Sequence, residues 1–291
     1  MKRIKIFCFG FGQVAKSYVN KLKYEKIDFD LSTTTRNETK KLLLDNTEYQ
    51  SYNFDGKNFD KEILKKLDEA DYILISIAPV DGKDIVFEKF QSELSKKNFK
   101  WITYLSATSV YGNHDGEWVD ENSETNPTSD NGVQRLKVEQ QWQKFAKENN
   151  KPLQIFRLSG IYSNQSNILK RLKLGEAKII KKPNHFFSRI HVEDIANILF
   201  ISMKKFKSGE IYNISDDKPA SSEEVTIYGA QLSGMNTPKV ISVNEIESQM
   251  LKNFYKDSKK VSNRKMKNFF NLELKYPTYV EGLKHIMDHS V

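Results

Sequence analysis

Residues 4–15 read IKIFCFGFGQVA, an apolar run that leads into two closely spaced glycines and an amphipathic segment ending near Leu22. This order predicts a strand, a tight turn and a helix, the unit that binds the pyrophosphate of a dinucleotide. Gly10 permits the turn, Gly12 lets the backbone approach the phosphates, and Ala15 lets the helix pack close to the strand. The helix N-terminus offers unpaired N–H groups to the anion. A turn between any strand and helix can use the same residues, so the elements that follow decide between the two interpretations.

Strand-like and helix-like segments alternate along most of the chain. The strand-like runs are 2–9, 29–34, 49–54, 71–78, 101–106, 153–158 and 210–214, and the helix-like segments are 14–24, 39–45, 61–69, 85–97, 133–149 and 192–204. Such alternation predicts an α/β fold, a Rossmann-type doubly wound parallel sheet with helices on both faces. The runs 72–77 and 102–105 are almost entirely apolar, as expected of strands that are buried on both sides.

The regular alternation weakens after Tyr162. A loop at 163–167 is followed by a short strand at 178–182 and by helix-like segments at 168–174, 222–232, 261–270 and 278–287. These elements predict a small C-terminal α+β lobe. We therefore expect an NAD(P)-binding Rossmann domain at 1–162 and a second lobe at 163–291, from which 190–214 returns to the Rossmann sheet.

Composition argues against several other classes of protein. The 291 residues include 46 Lys and Arg and 38 Asp and Glu, for a net charge of +8, but these charges are interleaved without aromatic residues that would stack on bases. Cys8 is the single cysteine and is expected to be a small buried residue, which excludes an internal disulfide. No apolar stretch approaches the ~18–20 residues that span a bilayer. We expect a cytoplasmic monomer or homodimer with a small-molecule substrate and without nucleic-acid or membrane partners.

The end of the second predicted strand bears on the choice of cofactor. An NAD-binding fold usually has Asp or Glu there to accept a hydrogen bond from the ribose 2′-hydroxyl. Here the strand ends in Thr35, Arg36 and Asn37, and the arginine fork suits a 2′-phosphate. The sequence therefore predicts NADP, with NAD as the less favoured cofactor. The predicted cofactor-binding residues are Gly10, Phe11, Gly12, Gln13, Val14, Thr35, Arg36, Asn37, Ile77, Ala78, Pro79 and Ser106.

Four further segments carry a specific resemblance. They are YLSATSVYG at 104–112, FRLSGIY at 156–162, RIHVEDIA at 189–196 and IYNISDD at 211–217. With the glycine turn, they make the chain resemble the extended and atypical short-chain dehydrogenase/reductases, the NAD-dependent epimerase/dehydratase family. The resemblance implies that the C-terminal lobe binds the substrate. It also implies a hydroxyl residue, a tyrosine and a lysine that act together on a substrate alcohol or ketone.

The resemblance assigns positions to that catalytic group. The family's Tyr-x-x-x-Lys pair, counted back from the motif at 138–140, falls on Asn131 and Arg135, neither of which transfers a proton near neutral pH. The family's hydroxyl position falls on Ala107. Thr108 is one of the neighbouring residues that would place a hydroxyl there if the alignment shifted by one residue. The acid/base tyrosine and its lysine are therefore expected to be replaced.

Other side chains are candidates for these roles. Tyr111 is a phenol in the same segment, although the family has a tyrosine here as part of its turn, which favours a structural role. His114 can transfer protons near neutral pH, with a solvated turn as the favoured alternative. The predicted site comprises Thr108, Tyr111, Asn131 and Arg135 as catalytic residues and His114 and Arg189 as substrate-binding residues. The five histidines lack metal-ligand spacing, so no metal is expected.

Two functions follow from this resemblance. The first is an NADP-dependent oxidoreductase or epimerase/dehydratase-like enzyme acting on a polar molecule, with a nucleotide-sugar-like molecule as one candidate. The second is a catalytically inactive NADP-binding protein with a regulatory or redox-sensing role, which Asn131 and Arg135 favour.

Overall fold

The computed structural model describes residues 3–248, 252 and 254–289. Its strands are β1 (Ile4–Phe9), β2 (Phe29–Thr35), β3 (Lys40–Leu44), β4 (Thr47–Asn53), β5 (Tyr72–Ile75), β6 (Trp101–Ala107), β7 (Trp118–Val119), β8 (Leu153–Leu158), β9 (Gly160–Tyr162), β10 (Ile179–Lys181), β11 (Arg189–His191), β12 (Ile211–Ile214), β13 (Val240–Ser242) and β14 (Lys260–Val261). Its α-helices are α1 (Gln13–Tyr24), α2 (Glu62–Glu69), α3 (Ile85–Lys96), α4 (Asp130–Glu148), α5 (Ile168–Lys173), α6 (Val192–Ser202), α7 (Ser222–Leu232), α8 (Arg264–Phe270) and α9 (Tyr279–Asp288). Short 3-10 helices lie at Thr108–Tyr111 and Val243–Glu245.

An eight-stranded sheet has the order β12-β8-β6-β5-β1-β2-β4-β3. β1 pairs in parallel with β2 on one side and with β5 on the other, and the pairs β2–β4 and β5–β6 are also parallel. The chain therefore extends the sheet from β1 first in one direction and then in the other, as a doubly wound fold does. The predicted α/β fold with a Rossmann-type sheet is confirmed. The glycine turn follows β1, where the direction of winding changes.

One predicted helix is wrong. Residues 39–45 contain β3, which pairs antiparallel with β4 across a two-residue turn. Asp45 and Asn46 in that turn have positive φ angles of 45° and 67°, the conformation of type I′ turns that match the twist of a hairpin. The turn chemistry of these two residues therefore outweighs the helix-forming composition of the leucine-rich run before them.

The chain folds into two compact units. The first contains Met1–Ser106, Gln134–Arg157 and Ile195–Tyr212, and the second contains Ala107–Val133, Leu158–Asp194 and Asn213–Val291. The assignment of cofactor and substrate binding to separate domains stays a prediction, as does the expected boundary at Tyr162.

Each unit has its own apolar core. In the first unit, Phe9, Phe54 and Phe90 are buried, with ring centroids between 5.1 and 6.3 Å apart. Cys8 is buried as predicted, and burial raises the pKa of its thiol to about 12. In the second unit, apolar side chains of α5, α7 and α9 form one cluster. The loops at the strand ends lie outside these cores and contain most of the candidate functional residues.

Two kinds of feature are absent from the described part of the chain. None of its helices is both long enough and apolar enough to cross a membrane. Its His, Cys, Asp and Glu side chains form no group of three that could hold a metal ion.

Candidate functional site

The glycine turn between β1 and α1 lies in the first unit and is fixed by its neighbours. Gly10 has a φ of +83°, which favours glycine, and its N–H donates to Thr34 Oγ1 at 2.8 Å. A Cβ on Gly10 would lie 2.8 Å from Ser76 Oγ. The Ser76 hydroxyl lies 3.0 Å from the carbonyl oxygen of Phe9 and 3.2 Å from that of Gly10, to which it donates. The turn is therefore held from the strands on both sides of β1.

Gly12 immediately precedes the first residue of α1. It is exposed, its φ is −82°, and a Cβ built on it would have no described atom within 4 Å. Gly12 has no side chain with which to cap this end of α1. Phe11 packs its ring against Tyr49 at 4.8 Å between centroids, and Val14 is buried, so the turn is anchored on either side of the opening. The helix N-terminus therefore has room for an external anion, which its N–H groups and dipole favour.

The loop after β2 presents Arg36 to solvent. Among the described residues, its guanidinium has no hydrogen-bond or ion-pair partner. The loop backbone is nevertheless fixed, because Asn53 Nδ2 donates to the carbonyl oxygens of Arg36 and Asn37 at 3.3 and 2.9 Å. Thr35 Oγ1 also accepts a hydrogen bond from Asn37 N at 3.2 Å. A side chain without a partner, on a loop whose backbone is held by hydrogen bonds, is suited to binding a phosphate.

The remaining predicted cofactor residues belong to the same unit. Ile77, Ala78 and Pro79 follow β5, and Ile77 Cγ1 lies 3.0 Å from the Cβ position of Gly10. Ser106 is 2% exposed, and its hydroxyl has no hydrogen-bond partner among the described residues. A buried hydroxyl is costly without a partner, so a bound ligand at this position would stabilise it. The structure thus brings Ile77 against the glycine turn, and the role of Ser106 stays a prediction.

Two positions of helix α4 that belong to the family motifs lie in the first unit. Arg135 Nη1 donates to the carbonyl oxygen of Leu105 at 2.7 Å. One turn further along, Glu139 forms a buried ion pair with Arg157 of β8, whose Nη2 lies 2.7 Å from Glu139 Oε2. Arg157 Nε also donates to both carboxylate oxygens, at 3.1 and 3.2 Å. This ion pair joins α4 to the sheet. Glu139 and Arg157 therefore have a structural role.

The second unit contains the turn at Thr108–Tyr111. Tyr111 is fully buried, and its hydroxyl donates to Asn213 Oδ1 at 2.8 Å. The N–H of Asn213 donates in turn to Glu121 Oε1 at 2.6 Å, and burial raises the pKa of that carboxyl. This network fixes Tyr111 in the interior and favours a structural role for it. Thr108 is partly buried, and its catalytic role stays a prediction.

Two glycines allow close packing around this turn. Gly112 has a φ of +72°, and a Cβ on it would lie 1.8 Å from the carbonyl oxygen of Asn126. A Cβ on Gly132 would lie 2.6 Å from the carbonyl oxygen of Ser109, so the first turn of α4 packs directly against the 3-10 helix. Asn131 lies in that first turn and is exposed.

His114 contacts the turn at Thr108–Tyr111, and Lys259 contacts the loop that follows it. His114 Nε2 lies 3.1 Å from the carbonyl oxygen of Tyr111. Lys259 Nζ donates to the carbonyl oxygen of Gly112 at 2.8 Å, and burial lowers the pKa of this ammonium group. The loop is thus held by a lysine from the C-terminal part of the chain, and the proposed substrate contact of His114 stays a prediction.

Arg189 lies in β11 and lines a pocket of the second unit. The pocket has a volume of about 260 Å³. Arg189 Nη1 donates to the carbonyl oxygens of Phe187 and Ala220, both at 2.9 Å. These two bonds hold the guanidinium in place at the wall of the pocket, where a substrate role stays a prediction.

Three residues of these networks, Asn53, Ser76 and Lys259, were missed by the sequence analysis. Asn53 and Ser76 end or follow strands of the parallel sheet, and that position is a signal that could have found them, since ligand-binding loops gather at the carboxyl ends of strands. Lys259 contacts a partner far away in the sequence. No spacing or composition marks such contacts, so they emerge only from the folded structure.

Comparisons with known proteins add a family context. The sequence model of the NAD dependent epimerase/dehydratase family matches residues 89–215. A functionally unknown conserved protein from Silicibacter pomeroyi DSS has a similar solved structure, with 33% sequence identity, 98% of both chains covered and a TM-score of 0.86. No curated protein matches the sequence.

More distant solved structures share the fold. UDP-glucose 4-epimerase from Thermotoga maritima, solved with UDP-glucose, is 17% identical, with 98% of both chains covered and a TM-score of 0.81. UDP-glucuronic acid 4-epimerase from Bacillus cereus, solved in complex with NAD, is 16% identical, with 98% of this chain and 96% of that chain covered and a TM-score of 0.79. At these identities, the similarity establishes the fold alone.

Proposed function

The chain belongs to the NAD dependent epimerase/dehydratase family, and from this premise we propose that it is an NADP-dependent oxidoreductase or epimerase/dehydratase-like enzyme acting on a polar substrate. The proposal rests mainly on the free space in the glycine turn at the start of α1. It rests also on Arg36, whose guanidinium has no partner among the described residues and whose loop backbone is held by hydrogen bonds. Gly12 leaves space at the start of α1 for a pyrophosphate, and Arg36 is available for a 2′-phosphate. When bound, NADP supplies hydride transfer.

The residues of the chain would bind and orient the reactants and move protons. Ser76 holds the shape of the turn that receives the pyrophosphate, and Ser106 offers a buried hydroxyl. Thr108 and His114 are the proposed proton donors or acceptors, directly or through water. Tyr111 is a weaker candidate because its hydroxyl already donates to Asn213. Accurate placement of substrate and cofactor would then supply most of the rate enhancement.

Two distant structures bear on the substrate and the cofactor. Both are named as epimerases of UDP-sugars, which supports a nucleotide-sugar-like molecule as one candidate substrate for this chain. The Bacillus cereus structure contains NAD, whereas the exposed guanidinium of Arg36 supports NADP here.

We expect Arg36→Ala to weaken NADPH binding by about 10–100-fold and to change NADH binding by less than about threefold. The arginine fork would contact only the 2′-phosphate, and a charge-assisted hydrogen bond contributes roughly 1.5–3 kcal/mol. Calorimetric titration of cofactor-free protein with NADPH and then NADH measures both affinities. The wild type should favour NADPH by at least about 10-fold, or 1.4 kcal/mol.

Lys40→Ala is the matched control, because it removes an exposed positive charge from the nearby strand β3. It should leave the preference for NADPH unchanged. Equal losses of NADPH and NADH in Arg36→Ala would contradict the 2′-phosphate role of this residue.

The alternative function is that of a catalytically inactive NADP-binding regulatory or redox-sensing protein. It is supported by Asn131, which cannot titrate, and by Arg135, whose Nη1 donates to the carbonyl oxygen of Leu105. Both functions require NADP binding, so an activity measurement must separate them.

We expect the double substitution Asn131→Tyr with Arg135→Lys to raise NADPH-dependent reduction of a generic ketone by at least about 10-fold. The two positions are one helical turn apart, and a tyrosine beside a lysine ammonium has a lowered pKa and can donate a proton. Arg135→Lys alone is the control and should show no gain. A double variant that binds NADPH without gaining turnover would show that the assumed register of α4 or the substrate class is wrong.

A further inference from the structure

The pocket beside Arg189 has the composition of an anion site. It lies within the second unit, and its walls come from β9, β11, α5, α7 and α9 together with adjoining loops. Among the described residues that line it, Arg171 and Arg189 are the charged ones, and none is acidic. Ile161, Phe187 and Leu283 provide apolar surface. The pocket therefore combines positive charge with an apolar wall.

The guanidinium of Arg189 is held in one orientation and keeps part of its donor capacity. Its Nη1 donates to the carbonyl oxygens of Phe187 and Ala220, both at 2.9 Å. Its Nε and Nη2 make no hydrogen bond to a described residue. These two atoms form the parallel donor pair that matches the two oxygens of one carboxylate.

No described carboxylate forms a salt bridge with Arg189. Asp216 and Glu224 act on it electrostatically without forming a salt bridge, and burial raises the pKa of the Asp216 carboxyl. Burial also lowers the pKa of the Arg189 guanidinium below its ordinary value. An incoming anion would place a negative charge in direct contact with the guanidinium, which no described carboxylate does.

We propose that this pocket binds the carboxylate of a small molecule with an aromatic or branched apolar body. The site lies wholly within the second unit, and its assignment does not depend on the proposed cofactor. The carboxylate would sit on Nε and Nη2 of Arg189, and the apolar body would pack against Phe187 and Leu283. The volume of about 260 Å³ lies just below the roughly 300–1,000 Å³ of sites for drug-sized ligands, which suits a small carboxylic acid.

Calorimetric titration of the full chain with 3-phenylpropionate, its amide and UDP tests the proposal. We expect 3-phenylpropionate to bind and the amide to bind at least about 10-fold more weakly, because the amide lacks the charge and one acceptor oxygen. UDP should not compete with 3-phenylpropionate. The proposal is overturned if the acid does not bind, if acid and amide bind equally, or if UDP displaces the acid.

Two substitutions assign the binding to this pocket. Arg189→Lys keeps the charge but removes the planar donor pair, and should weaken 3-phenylpropionate by at least about 10-fold. Gly160→Leu places a side chain in the pocket, where a Cβ has only ordinary contacts, 3.4 Å from the carbonyl oxygen of Ser188. It keeps the proposal testable even if Arg189→Lys does not fold. Arg264→Lys, an exposed position in α8, is the control.

Titration of the same variants with NADPH separates this inference from the proposed function. Both pocket variants should bind NADPH within about twofold of the wild type. Unchanged 3-phenylpropionate binding in Gly160→Leu overturns the assignment of this pocket. NADPH binding without carboxylate binding overturns this inference alone, whereas carboxylate binding without NADPH binding overturns the cofactor proposal.

Discussion

The Gly12→Asp variant is expected to lose about 100-fold or more in NADPH affinity, or about 2.7 kcal/mol, while its melting temperature stays at or above that of the wild type. The substitution has room in the folded chain, because Gly12 has a φ of −82° and no described atom lies within 4 Å of its Cβ position. Aspartate is a preferred residue at the start of a helix, where its carboxylate accepts hydrogen bonds from backbone N–H groups. Those are the groups proposed to bind the pyrophosphate, so the new carboxylate would occupy the site and repel the phosphates.

Calorimetry and a thermal melt on the same preparation check both parts of this expectation. Asn20→Asp is the matched control, since it adds the same charge to an exposed position of α1, beyond its first turn. Gly10→Ala is not an equivalent test, because a φ of +83° and the contact with Ser76 Oγ make it costly for folding as well. Normal NADPH binding by a folded Gly12→Asp protein would mean that this turn does not bind the phosphates.

The sheet could be predicted from the sequence because its strands carry strong local signals. β5 is buried at every position, and its apolar run marks it without any knowledge of its neighbours. The glycine turn could be predicted for a similar reason, since the strand, Gly10, Gly12 and the helix follow one another directly in the sequence. Fold class and the location of the turn are therefore local information.

The features that could not be predicted depend on contacts between residues that are separated in the sequence. Strand β3 was predicted as a helix because its own residues form helices readily, whereas the turn that follows them and the pairing with β4 decide its structure. The support of the Arg36 loop by Asn53 and of Tyr111 by Asn213 depends on contacts between separate strands or segments. Such contacts are set by tertiary packing, so the chemistry of the candidate site could be proposed from the sequence, but its supporting hydrogen bonds could not.

Glu139→Gln is expected to lower the free energy of unfolding by about 3–5 kcal/mol. The Glu139 and Arg157 side chains are 1% and 5% exposed, and the carboxylate accepts hydrogen bonds from both Nε and Nη2 of the guanidinium. Glutamine removes the charge and one acceptor while the arginine remains charged and buried, which leaves its desolvation uncompensated. Denaturant unfolding followed by circular dichroism measures the change.

The same substitution at the exposed end of α4 provides the control. Glu148 has a side chain that is 59% exposed and lies 3.8 Å from Lys144, so Glu148→Gln should change the free energy of unfolding by less than about 0.5 kcal/mol. Replacing both partners, as Glu139→Leu with Arg157→Met, should cost less than Glu139→Gln alone, because no uncompensated charge then remains in the interior. If the double variant is the less stable of the two, the interaction between α4 and β8 depends on the shape and hydrogen bonds of the ion pair more than on its charge balance. A Glu139→Gln protein as stable as the wild type would contradict the structural role of the pair.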